Sequence, residues 1–219
     1  DGMGGLHALE GAGKASTKSP VNFEFDIARR LVPCGEGYYI LDGFGGVHAG
    51  GGAEPLPRAV NFQDDLARDM EIVELKNAVI DEAERRMPTP PLPGQPLKAS
   101  QIGYYLLDAY GRVYPTGGLP QLGHPQLSEP VAKDMALTPD GKGYYVVDAY
   151  GNVYAYGNAP LFEGQTPVFD HLRIERIIAT ENGYMLLDRF GQVYSAGEAQ
   201  RVDVGMRIGF DHIRDIVVE

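Results

Sequence analysis

The sequence contains no tryptophan and one cysteine, Cys34. A lone cysteine excludes an intrachain disulfide and leaves the redox compartment open. Basic residues are scarce: 19 Lys and Arg stand against 30 Asp and Glu, a formal net charge of −11. A nucleic acid would be repelled unless a basic stripe were set aside for it. Arg29-Arg30 and Arg85-Arg86 are isolated pairs, so nucleic acid is not an expected partner. Long apolar runs are also missing, and none approaches the roughly 20 residues that span a bilayer. What is present, 43% hydrophobic and 22% charged residues over 219 positions, is the composition of a soluble globular chain with ample core material. The chain opens on Asp1-Gly2, which reads as a fragment or a processed product.

The sequence also repeats itself. GYYILDGFGGVHAG begins at Gly37, GYYLLDAYGRVYPT at Gly103, GYYVVDAYGNVYAY at Gly143 and GYMLLDRFGQVYSA at Gly183. The chain itself opens with half of a fifth copy, DGMGGLHAL. The shared aspartates Asp1, Asp42, Asp108, Asp148 and Asp188 are spaced by 41, 66, 40 and 40 residues, so one copy of a roughly 40-residue unit carries an insertion. A second motif precedes each Gly-Tyr, IARRLV from Ile27, LARDMEIV from Leu66, VAKDMALT from Val131 and RIERIIAT from Arg173, and recurs as HIRDIVVE from His212, where another Gly-Tyr strand is expected to follow.

Within one unit, Tyr144 to Val147 and Val153 to Tyr156 are β-branched and aromatic runs, which predicts two strands. Between them Asp148-Ala-Tyr-Gly151 has turn chemistry. The aspartate accepts backbone N–H groups two residues on, and the glycine takes the left-handed conformation. All five copies keep Asp and Gly at this offset, which explains the aspartate structurally.

The GYYVVD strand is apolar on both faces of its pleat and needs cover on both. Sheets packed face to face around an axis supply it, which predicts an all-β fold, a β-propeller of ~40-residue, four-stranded blades. The first strand is the Arg/Lys-Asp run, the second GYYVVD, the third NVYAYG, and the fourth is expected within Leu161 to Val168. This strand pattern resembles that of the bacterial β-propeller repeat proteins, WD40-like or NHL-like, over most of the chain outside the insertion. The resemblance is one of repeat architecture; without the Trp-Asp signature it implies no site residues. The expected arrangement is a single domain over 1–219 with five blades, the terminal blade being shared between 1–20 and 210–219. A ring of six to eight blades completed by further sequence is the alternative.

The insertion, 76–102, falls between the first and second strands of one blade. NAVIDEAERRM predicts a short helix capped by Asn77, with Asp81–Arg85 and Glu82–Arg86 as i,i+4 pairs, ended by Pro88. TPPLPGQP then favours extended polyproline conformation. It reads as a docking element or as a tolerated surface loop on the face opposite the Asp-x-x-Gly turns.

Candidate chemistry is thin. His7 and His48 occupy the repeat position of Tyr114, Tyr154 and Tyr194, which marks a place for an amphipathic ring rather than a metal ligand. His171 and His212 are likewise equivalent. ALEGAGKAS from Ala8 lacks the first glycine and the Ser/Thr of a phosphate loop. TPDGKG from Thr138 reads as a β-turn, not a calcium loop. Arg68-Asp69, Lys133-Asp134 and Arg214-Asp215 adjoin on strands and are expected to point to opposite faces, each free to bond to a neighbouring blade. No nucleophile–base pair has credible spacing, and Cys34 has no motif around it. No catalytic, metal-binding or cofactor-binding residue is nominated. The expectation is a non-catalytic scaffold that binds a protein, or a glycan, through a loop face or the insertion. The alternatives are a hydrolase or lyase with its site in an axial funnel, and a sensor or surface domain of a larger protein, with the compartment left open between extracytoplasmic, cell-surface and other placements.

Overall fold

The computed structural model describes residues 2–4, 21–35, 37–75 and 102–200. These contain twelve strands: β1 (Ala28–Cys34), β2 (Gly37–Asp42), β3 (Val47–Gly50), β4 (Ala67–Glu74), β5 (Ile102–Asp108), β6 (Val113–Pro115), β7 (Ala132–Leu137), β8 (Gly143–Asp148), β9 (Val153–Gly157), β10 (Ile174–Thr180), β11 (Gly183–Asp188) and β12 (Val193–Gly197). They form four three-stranded antiparallel sheets in the orders β1-β2-β3, β4-β5-β6, β7-β8-β9 and β10-β11-β12. No helix occurs among the described residues. The helix expected within the 76–102 insertion, and the expected terminal strands in 1–20 and 210–219, lie outside them apart from residues 2–4 and Ile102.

The chain divides into two compact units, one of Asp1–Leu106 with Tyr114–Pro120, the other of Leu107–Val113 with Gln121–Glu219. In the first, Tyr39, Leu41, Met70, Tyr104 and Leu106 form a core between stacked sheets. In the second, Tyr145, Val147, Ile174, Ile177, Tyr184 and Leu186 do the same. Each middle strand, β2, β5, β8 and β11, is buried at every residue. Successive side chains point to opposite faces, so full burial means that both faces are covered.

The tyrosines that open these strands, paired in β2, β5 and β8 and single in β11, are amphipathic pins. The second of each pair donates its hydroxyl to the loop after its own third strand: Tyr39 to Glu54 O at 2.9 Å, Tyr105 to Pro120 O at 3.0 Å and Tyr145 to Pro160 O at 2.9 Å. The first reaches back to the loop of the preceding repeat. Tyr104 donates to Pro57 O at 2.7 Å and accepts the Ala59 N–H at 2.9 Å, while Tyr144 donates to Gly123 O. One tyrosine therefore closes its own hairpin and its neighbour ties that hairpin to the one before. A buried ring whose hydroxyl is satisfied adds large apolar area at no polar cost.

The preceding glycine has a steric cause. A Cβ at Gly143 would stand 2.6 Å from Ala159 N and 2.7 Å from Tyr156 O, where the chain leaving β9 crosses it. The turn glycines Gly45, Gly111, Gly151 and Gly191 take φ of 84°, 83°, 94° and 84°, the left-handed region expected from the Asp-x-x-Gly pattern.

The fourth strand expected within Leu161 to Val168 is absent. That segment runs as turn and loop, because Gly164 adopts φ 68° and Pro167 has no N–H to give a ladder. It serves the following repeat instead: Phe162 O accepts the Tyr184 hydroxyl at 3.5 Å and Gln165 Oε1 accepts the Gly197 N–H at 2.7 Å.

Gly143→Ala is expected to destabilise the chain by about 1–3 kcal/mol through overpacking. Gly164→Ala, in open space, is expected to cost about 1 kcal/mol from its backbone alone. Urea-unfolding midpoints measure both, and an equal effect would remove the close-approach explanation.

Candidate functional site

Three groups of polar residues gather in the fold, and the first belongs to the turns. Asp42, Asp108, Asp148 and Asp188 are 5%, 2%, 2% and 0% exposed. In each, Oδ1 accepts the N–H two residues on, Phe44, Tyr110, Tyr150 or Phe190, at 2.8–2.9 Å. It also accepts the N–H four residues on, Gly46, Arg112, Asn152 or Gln192, at 2.8–3.0 Å. Oδ2 takes the side chain six residues on: His48 Nε2 at 2.7 Å, Tyr154 hydroxyl at 3.3 Å and Tyr194 hydroxyl at 3.2 Å. The repeat position shared by His48 and the tyrosines is thus a donor to the turn carboxylate.

Burial disfavours the Asp42 carboxylate, but His48 and the Gly46 and Phe44 N–H groups outweigh it and hold the carboxyl below its usual range. Burial, with the Asp148 carboxylate beside it, pushes the Tyr154 hydroxyl up to about 12.

The second group crosses between stacked sheets. In the first unit Arg30 on β1 reaches Asp69 at 2.9 Å and Glu71 at 3.1 Å on β4. In the second, Asp134 on β7 holds Arg176 of β10 at 2.7 Å and accepts the Ile177 N–H at 2.8 Å, while Lys133 meets Glu175 at 3.1 Å. Asp69 and Asp134 are 0% and 2% exposed. Bonding between neighbouring sheets is as expected, but the opposite-face geometry is corrected for the Lys133-Asp134 pair, where both residues reach β10. The register shifts between Ala132 and Asp134, as it does between Ala28 and Arg30 and between Ile174 and Arg176. The extra residue of a bulge breaks strand alternation and turns neighbouring side chains to one side.

The third group lines an open pocket of about 300 Å³ in the second unit, formed by Thr138, Pro139, Asp140, Tyr145, Asn158, Pro160, Thr180 and Glu181, with Asp140, Asn158 and Glu181 exposed at its rim. It lies between the β7–β8 and β10–β11 loops. TPDGKG is the expected turn, closed by Gly141 N–H to Thr138 O at 2.8 Å, but it also builds this wall. Thr138 Oγ1 accepts the Gly143 N–H at 3.0 Å and donates to Asp140 Oδ1 at 2.7 Å. Asp140 further accepts the Lys142 N–H at 3.1 Å and Asn158 Nδ2 at 2.6 Å. The Thr138 hydroxyl, then those other donors, hold its carboxyl below the usual range. Thr180 Oγ1 is buried and has no hydrogen-bond partner. Sequence reasoning missed Thr180 and Glu181, for which repeat position gives no signal.

Elsewhere, His171 is exposed beside Asp170, and Arg173 lies over the rings of Phe169 and Phe190 at 4.7 and 5.2 Å. The Cys34 thiol is buried, which pushes it up and away from thiolate chemistry. No group of three metal-ligating side chains converges among the described residues. No helix among them is long and apolar enough to cross a membrane. His7, His212, Arg214-Asp215 and the ALEGAGKAS segment lie outside the described residues. Comparison with protein-family models and with curated proteins yields no match to this chain.

Asp134→Ala leaves Arg176 and the Ile177 N–H without their acceptor, and is expected to cost about 3–5 kcal/mol by chemical denaturation. Asp134→Asn, which keeps an acceptor, is expected to cost less. The raised Tyr154 hydroxyl stabilises the fold fully below its unfolded value, roughly 10. That contribution fades as pH rises through about 12. Tyr154→Phe is therefore expected to flatten the alkaline fall in melting temperature over that window; an unchanged slope would refute the linkage.

Proposed function

We propose that the chain is a β-propeller of ~40-residue blades that binds a protein partner and performs no chemistry of its own. Four sheets with one strand order, one turn and one inter-repeat tyrosine bond support the ring. The Ala28 N–H donates to Gly2 O at 2.8 Å as the Ala67 N–H donates to Gly43 O at 2.9 Å, so residues 2–4 stand where the turn of an earlier blade belongs. Five blades, the last completed by 210–219, are part of this reading, as is docking through a loop face or the 76–102 insertion.

One observation carries the non-catalytic part. Every buried carboxylate among the described residues is committed to structure: Asp42, Asp108, Asp148 and Asp188 to their own turns, Asp69 and Asp134 to the arginine of a stacked sheet. An active site tunes unlike groups toward one point. Here like groups recur, each beside its own hairpin.

The reading is tested by screening the purified chain against peptide and glycan arrays, and against ester, peptide and glycoside substrates. Saturable peptide binding without turnover is the expected result. Turnover that tracks the protein through purification, or binding confined to glycans, would overturn it. An experimental structure of the chain should show a closed ring, and a rod or a flat stack would remove the architecture.

A further inference from the structure

The cavity between the β7–β8 and β10–β11 loops has a lopsided hydrogen-bonding inventory. Most of its donors are committed: Thr138 Oγ1 donates to Asp140, one Asn158 Nδ2 hydrogen to the same carboxylate and the Tyr145 hydroxyl to Pro160 O. The hydroxyl of Thr180, its oxygen buried and unpartnered, remains, together with the carboxylates of Asp140 and Glu181. Tyr145, Pro139 and Pro160 supply apolar wall between these polar groups. A volume of about 300 Å³ sits at the small end of ligand sites. It suits one long side chain rather than a cofactor.

We propose that this cavity receives an arginine side chain from a protein partner, its guanidinium against Asp140, Glu181 and Thr180 Oγ1 and its methylene stem against Pro139, Pro160 and Tyr145. The inference rests on the protein-binding reading above and names the partner's chemistry. A guanidinium offers five N–H donors and no acceptor, which matches a lining whose two charged groups, Asp140 and Glu181, are both acceptors. A saccharide hydroxyl brings an acceptor with every donor and would find few partners for the former. Charge agrees, because a chain of net −11 draws basic segments toward it. The Asp140 side of the site is also set in advance. Three donors fix that carboxylate before any ligand arrives, which reduces the ordering cost of binding.

The probe is N-acetyl-arginine amide titrated into the full chain and followed by backbone amide NMR. N-acetyl-citrulline amide, the neutral isostere, and methyl glucoside serve as comparisons. Saturable shifts at Thr138–Lys142, Asn158 and Thr180 with the arginine compound alone are expected, weakening as salt is raised. Glu181→Gln, at an exposed position of the β10–β11 turn, is expected to weaken binding by roughly tenfold, since it removes a charge-assisted bond. Thr180→Val should weaken it further while leaving the fold intact. Equal shifts with citrulline, shifts with the glucoside instead, or no localised shift would overturn the proposal. Failure here is distinct from failure of the scaffold reading. Peptide-array binding by sequences without arginine would leave the scaffold standing and remove only this pocket.

Discussion

Each described hairpin is organised around a middle strand with no solvent face. GYYILD, GYYLLD, GYYVVD and GYMLLD are buried at every position, so their outer strands and loops are arranged to cover two surfaces at once. Burying a large side chain contributes about 1.5–3 kcal/mol, and a strand carrying four in a row cannot be left on an edge. The stacked first strands and the tyrosine bonds to flanking loops all follow from that demand. So does the placement of polar groups. An aspartate at the end of such a strand is pulled out of water, and its cost is met by two backbone N–H groups and, for Asp42, Asp148 and Asp188, by the ring six residues on.

The same constraint separates structural from adaptable polar residues. The turn and inter-sheet carboxylates are fixed by several donors. Loops beyond the strand ends escape the demand for cover, and there the repeats differ. TPDGKG between β7 and β8 and Thr180-Glu181 after β10 are such departures, and together they line the pocket.

Much of this was legible in the sequence because it is local. Asp148 and Gly151 announce a turn three residues apart, and the Tyr-Val runs on either side announce its strands. The exchange of His48 for tyrosine at one repeat position marked a ring with a polar end, and the structure supplies its acceptor. What escaped notice depends on long-range registration or on absent signals. The bulge beside Lys133 requires no particular residue type, so strand alternation misplaced Lys133 relative to Asp134. The missing fourth strand left a clue in Gly164 and Pro167, which outweigh the apolar residues around them. Arg176 finds Asp134 across 42 residues of chain, a choice that spacing alone does not reveal. The cavity joins two loops whose residues are individually ordinary.

The inter-sheet charges differ from the tyrosines in one respect. Each described hairpin opens its middle strand on a tyrosine, whereas the equivalent charged position of the first strands reads Arg30, Asp69, Asp134 and Arg176 in chain order. Within each unit that position meets its opposite, Arg30 facing Asp69 and Asp134 facing Arg176. A β10-type strand in the place of β7 would set arginine against arginine, and a β4-type strand in the place of β1 would set aspartate against aspartate. The sign of one residue thus selects the neighbour of each first strand within its unit, which guards a self-similar chain against stacking a strand there on its own duplicate.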